Sequence, residues 1–135
     1  MAKIYKISDR IKVKVGGLTV KIGPLTFDQK AEIQALATSG DFKKSLQSAK
    51  LSVKYSVKDI DGLEDAEGNK YELSTDEEGL SEDCLNELFN LEESEKLSMM
   101  SLGLLQGIPK QFTNPFTGEP LEGVKIVKES AGKKK

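Results

Sequence analysis

Hydrophobic and polar residues alternate in "IKVKVGGLTVKI": Ile11, Val13 and Val15 are set against Lys12 and Lys14, then Leu18, Val20 and Ile22 against Thr19 and Lys21. A period of two sends successive side chains to opposite faces, so the segment reads as a β-hairpin with an apolar side and a lysine-threonine side. Gly16-Gly17 supplies the two-residue turn, because glycine reaches the positive φ that primed turns require. In "GPLTFDQKAEIQALATSG" the period lengthens. Gly23-Pro24 breaks the strand, Thr26 can cap a helix, and Gln29 stands three residues later, where a capping box needs it. Phe27, Ile33, Leu36 and Ala37 form that helix's stripe, and Gly40 stops it. A second helix is expected after Asp41, with Phe42, Leu46, Ala49, Val53 and Val57 at spacings of three and four. Its far end is ambiguous, since Val53, Tyr55 and Val57 also alternate as a strand would; the change is placed near Tyr55.

The next stretch, "DIDGLEDAEGNKY", crowds five carboxylates and two glycines into thirteen residues and raises the question of a calcium loop. An EF-hand loop needs oxygen ligands at its first, third and fifth positions, glycine at the sixth and a bidentate Glu at the twelfth. Counted from Asp59 those places hold Asp59, Asp61, Leu63, Glu64 and Lys70, so the last three fail. Starting at Asp61 or Asp65 does no better. A hairpin accounts for the same residues: "VKDIDGL" and "KYELS" flank "EDAEGN", Gly68-Asn69 favours a reversal, and the acids sit on a solvated loop. Ile60 breaks strict alternation with Val57, and Gly62 is the expected bulge that restores the phase.

Beyond an acidic loop, Ser81 is a fair N-cap, Glu82 and Asp83 suit the positive end of a helix dipole, and Leu85, Leu88 and Phe89 make a buried face. A further helix carries Glu92, Glu93 and Glu95 early, then Leu97, Met99, Met100, Leu102, Leu104 and Leu105, before Gly107 and Pro109 stop it. Its apolar residues spread around the circumference. Two readings follow: a central, buried helix, or a partner-binding surface for which flexible methionines are well suited. Near the end, Val124 to Val127 is a candidate edge strand, Phe112 and Phe116 pin the preceding segment, and "SAGKKK" closes a basic tail. The expected fold is α+β: an N-terminal β-hairpin, two helices, a central β-hairpin, two C-terminal helices and a flexible basic tail. Residues 1–109 form one domain in this reading, and 110–135 an extended, partly disordered tail.

Composition narrows the chemistry. The 135 residues fit one domain, and the formal net charge of −2 hides a strong asymmetry. Residues 1–58 carry twelve Lys or Arg against four acids, 59–95 one Lys against fifteen acids, and 96–135 seven Lys against three acids. A lysine face of Lys12, Lys14 and Lys21 can meet phosphates, but an acidic block of that size opposes nucleic acid, and attraction between the two parts or between copies competes with it. There is no histidine, which removes the usual general base and the favoured zinc ligand. The single Cys84 forms no internal disulfide and reads as a small, half-buried side chain. Neither a Walker loop nor a dinucleotide fingerprint occurs. The expectation is a non-enzymatic protein with no catalytic residues, metal ligands or cofactor. No apolar run reaches the roughly 20 residues of a membrane span, and the first ten residues lack a signal-peptide core, which places the protein in the cytoplasm.

Taken in order, "VKVGGLTVKIGPLTFDQKAEIQAL", "VKDIDGLEDAEGNKYEL" and "LNELFNL" resemble the small tail assembly chaperones of long-tailed bacteriophages, over about residues 11–107. The likeness lies in opening strands followed by a "PLT" helix start, a glycine-turn hairpin, and the helix after it. It implies a protein that keeps the long, helical tape-measure protein soluble and helps recruit tail-tube subunits around it. The same resemblance implies action in the host cytoplasm and absence from the mature virion. Leu97, Met99, Met100, Leu102, Leu104 and Leu105 are then the partner-binding residues, and the acidic block keeps the complex in solution. The family also often makes a longer form by ribosomal slippage, for which an A-rich tract under Lys133–Lys135 is a candidate. A phage structural or connector subunit, or a nucleic-acid accessory protein using the Lys12, Lys14 and Lys21 face, remains open as an alternative.

Overall fold

A computed structural model describes residues 3–129. It is α+β: four α-helices and a four-stranded antiparallel sheet in the order β3-β2-β1-β4. Strands β1 (Ile11–Val15) and β2 (Leu18–Ile22) are the hairpin that the alternation predicts, with Val15 paired to Leu18 across Gly16-Gly17. Ile11, Val13, Val15, Val20 and Ile22 are wholly buried, whereas the lysines between them stay at least partly in water. One side of the sheet therefore seals the core.

Helix α1 (Phe27–Ala37) starts on a complete capping box: Thr26 Oγ1 accepts from the Gln29 amide, and Gln29 Oε1 accepts from the Thr26 amide. Helix α2 (Phe42–Ser56) is capped by Asp41, whose side chain accepts from the Lys43 amide. It runs one residue past Tyr55 and passes directly into β3 (Val57–Asp61). Here the expected central hairpin is corrected. β3 pairs with β2, and the reversal that follows it is closed beyond the strand's end by a single antiparallel bridge, Glu64 to Lys70. The phase break between Val57 and Ile60 is absorbed at Lys58, where the register with β2 shifts between Lys21 and Ile22, and not at Gly62.

Helix α3 (Glu82–Leu88) begins on Ser81, whose Oγ accepts from the Cys84 amide, and α4 (Ser94–Gly103) ends in a 3-10 turn, Leu104–Gln106. Cys84 is fully buried, deeper than expected. The chain then re-enters the body: Phe112 is buried, and β4 (Val124–Glu129) pairs with β1 as the far edge strand. The boundary at 109 is corrected accordingly, because residues 112–129 contribute both core and sheet. The lysine run Lys133–Lys135 lies outside the described residues.

One apolar cluster joins the inner sheet face to Val53, Leu80, Leu85, Leu88, Leu97, Met100, Leu104 and Phe112. α2 and α4 meet along serines. Ser48, Ser52, Ser56 and Ser101 are buried, the Ser56 and Ser101 hydroxyls bond each other at 3.1 Å, and Ser52 and Ser56 also bond carbonyls of α2. Small side chains with satisfied hydroxyls allow the two backbones to approach closely.

Candidate functional site

The six residues expected to bind a partner do not share a surface. Leu97, Met100 and Leu104 are closed inside the core, and Met99, Leu102 and Leu105 are half-buried, with Leu102 and Leu105 packed against it. Of the two readings open for this helix, central burial describes the first three. The reason is physical: α4 packs against α2, and Phe112 of the returning chain stands close to its Gly103, so buried apolar residues are needed on more than one side of the helix.

Large apolar side chains left exposed lie elsewhere: Ile4, Ile7, Phe116 and Val127 outside the helices, and Phe27, Phe42 and Leu46 on the helical hairpin of α1 and α2. Phe42, Leu46, Ala49 and Val53 lie along one stripe of α2, and their exposure falls along it: Phe42 is 77% exposed, Leu46 56%, Ala49 half-buried and Val53 1%. The stripe thus begins in solvent and ends in the core. On α1 only Ile33 is buried; Phe27 is 83% exposed and Leu36 is half-buried. Lys43 and Lys44 flank Phe42 in water. The two helices are held together by packing and by the Tyr55 hydroxyl, which donates to Glu32 Oε1 at 2.8 Å. Burial and this carboxylate together push the Tyr55 hydroxyl's pKa well above its ordinary value, so the hydroxyl stays a donor. Sequence reasoning placed Phe27, Leu36, Phe42 and Leu46 on helix stripes and did not say what covers those stripes. The available signal was the serine line Ser48, Ser52, Ser56, which starts only at the second half of α2 and marks where close packing begins.

The acidic segment is built of two self-contained loops. In the first, Asp65 Oδ1 accepts from the amides of Glu67 and Asn69, and the Tyr71 amide returns to the Leu63 carbonyl. That carboxylate serves the turn, an Asx arrangement that Gly68 closes with a φ of 86°. In the second, Asp76 Oδ1 accepts from the amides of Glu78 and Gly79, while Asp76 Oδ2 takes the Lys54 ammonium at 2.7 Å. Lys54 is itself buried and also donates to the Leu80 carbonyl at 2.7 Å. The hydrogen bond from Lys54, with help from the loop amides, holds the Asp76 carboxyl below its ordinary range. Tyr71 ties the first loop to α3 through Glu87.

The described surface holds shallow recesses of about 140 Å³, lined by Val53, Leu88, Phe89, Ser94 and Leu97, and of about 180 Å³, lined by Lys12, Thr19, Lys21, Asp59 and Asp61. Both are smaller than the roughly 300–1,000 Å³ of ordinary small-molecule sites. Among the described residues no group of three or more Cys, Asp or Glu is placed to hold a metal ion, and no helix is long and apolar enough to cross a membrane. Comparisons with protein-family models, with curated proteins and with solved structures return no match.

Proposed function

We propose that this chain is a non-enzymatic assembly chaperone of the phage-tail kind, which acts in the host cytoplasm and holds an apolar helical segment of the tape-measure protein against the outer face of its α1–α2 hairpin. The observation that carries the reading is the stripe on α2, which continues in register from Val53 inside the core to Leu46 and Phe42 in water. A partner helix laid along that stripe extends the packing already present at its lower end, and burying an exposed Phe or Leu side chain contributes about 1.5–3 kcal/mol each. The acids on the two loops and the lysines beside Phe42 keep the free protein and the complex in solution. Recruitment of tail-tube subunits, and release before the particle is finished, belong to the same proposal.

The test is co-expression with a long, helix-rich phage tape-measure protein, scored by how much of that protein stays soluble and co-purifies. The wild type is expected to keep it in solution, and the triple variant Phe27→Gln, Phe42→Gln, Leu46→Gln to fold normally yet lose it. Equal solubility with the wild type, the variant or no chain at all would sink the reading.

A further inference from the structure

We propose that the open face of the sheet docks the acidic loops of a second copy of this chain. The face turned away from the core carries Lys12 and Lys14 on β1, Thr19 and Lys21 on β2 and Lys125 on β4, with Asp59 and Asp61 on the β3 edge. The register sets like against like: Lys12 lies opposite Lys21, and Lys14 opposite Lys125. Such pairs oppose strand association unless something neutralises them. Among the described residues the register brings Asp59, opposite Lys21, and Asp61, opposite Thr19, to this face, and sets no carboxylate opposite Lys14 or Lys125. None of the four lysines enters an ion pair among the described residues, whereas Lys50, Lys54 and Lys70 do.

The acids show the converse. Glu64, Glu67, Glu72, Glu77 and Glu78 are exposed on the two loops, and of these only Glu72 approaches a cation, Lys70 at 4.0 Å. The two charge blocks nearly cancel in the whole chain, yet the fold brings them together only in part: Lys50–Glu82 and Lys54–Asp76 form ion pairs, and Asp59 stands opposite Lys21. A basic face and an acidic edge on one body complement each other between copies. The recess between Lys12, Thr19, Lys21, Asp59 and Asp61 already carries two carboxylates, so the seat for an incoming one is the β1–β4 side of the face, at Lys14 and Lys125. Nucleic acid fits less well, because its phosphate backbone needs an extended basic track that Asp59 and Asp61 interrupt on the β3 side, whereas a loop carboxylate needs only Lys14 and Lys125. Since the two surfaces differ, the contact is head-to-tail, and each added copy leaves one surface of each kind free until a ring closes. The inference is independent of the α1–α2 surface.

Sedimentation velocity of the full chain over a concentration series, at about 50 mM and about 500 mM NaCl, tests it. Concentration-dependent growth at low salt is expected, at least about tenfold weaker at high salt. Lys14→Glu with Lys125→Glu, and separately Glu77→Lys with Glu78→Lys, should each stay monomeric alone and associate when mixed, since each then offers the charge that the other lacks. The second pair sits in a loop, so it decides the matter even where strand substitutions disturb folding. A monomer at both salt concentrations overturns the proposal, as does association that neither pair of substitutions changes. A labelled DNA duplex bound through Lys14 and Lys125 without self-association would reassign the face to nucleic acid.

Discussion

The two halves of α2 share one apolar stripe and end in opposite surroundings. Around Val53 the helix lies against α4, with Ser52, Ser56 and Ser101 closing the gap between backbones. Around Phe42 and Leu46 it lies only beside α1, which buries a single residue of its own. Periodicity fixes which side of a helix is apolar, and says nothing of what covers that side. Where α2 is enclosed a serine recurs at every fourth position, Ser48, Ser52 and Ser56, whereas its first turn exposes Lys43 and Lys44.

The comparison breaks most sharply under truncation. Met100→Ala is expected to lower stability by about 2–5 kcal/mol, because it removes a wholly buried side chain and leaves a cavity against neighbours that relax only in part. Phe42→Gln or Leu46→Gln at the other end should stay within about 0.5 kcal/mol of the wild type. Urea unfolding of the three variants measures this. A loss of more than about 2 kcal/mol in Phe42→Gln would mean that the upper stripe is core after all and would remove the surface on which the chaperone reading rests.

How much of this was legible in the sequence follows from the range of the forces involved. The β1–β2 hairpin and the capping box at Thr26 depend on neighbours a few residues apart, and both were readable from alternation, Gly16-Gly17 and Gln29. The pairing of β3 with β2 depends on a bulge at Lys58 that carries no composition signal, so "KYELS" looked like the natural partner strand and was not. β4 was readable as an edge strand from Val124 to Val127, but not its attachment to β1, which makes the return from Phe112 part of the body. For the candidate site the limit is sharper. A helix covered on several sides and a helix meant for a partner share one pattern, and only the packing of α4 under Phe112 and α2 separates them. Lys54 shows the opposite failure, since a lysine in a helix reads as solvated, yet its ammonium is buried and anchors a loop.

That loop permits a second test of the enclosed half. Gly79 has a φ of 155°, and a Cβ there would stand 2.3 Å from the Lys54 carbonyl oxygen, nearer than any real side chain comes to backbone. Gly79→Ala should therefore lift residues 76–80 from the end of α2 and cost about 1–3 kcal/mol. Limited proteolysis is the direct readout, with new cleavage expected between Asp76 and Leu80 and none in α1. An unchanged cleavage pattern would show that the loop reaches its fold without this close contact.

The smallest expected effect belongs to the charge that holds the same loop. Asp76 gains the Lys54 ammonium and two amides on folding, so its carboxyl is more acidic in the folded chain than its ordinary value of 3.8. Stabilisation from a depressed carboxyl is fully present above the unfolded value and fades as pH falls through the lower, folded one. The loop should thus be indifferent to pH from neutrality down to about 5 and loosen only below about 4. Asp76→Asn removes the proton dependence at this site while keeping an acceptor for Lys54. Amide exchange at Gly79 and Leu80 reads the difference: acid-dependent opening in the wild type, a flat response in the variant. Because Asp76 faces water, screening keeps the effect modest, and the Lys54 bond to the Leu80 carbonyl persists in either case. If both proteins opened alike in acid, the trigger would lie with other carboxylates of the acidic block, and Lys54 would hold the loop through the Leu80 carbonyl without needing the charge of Asp76.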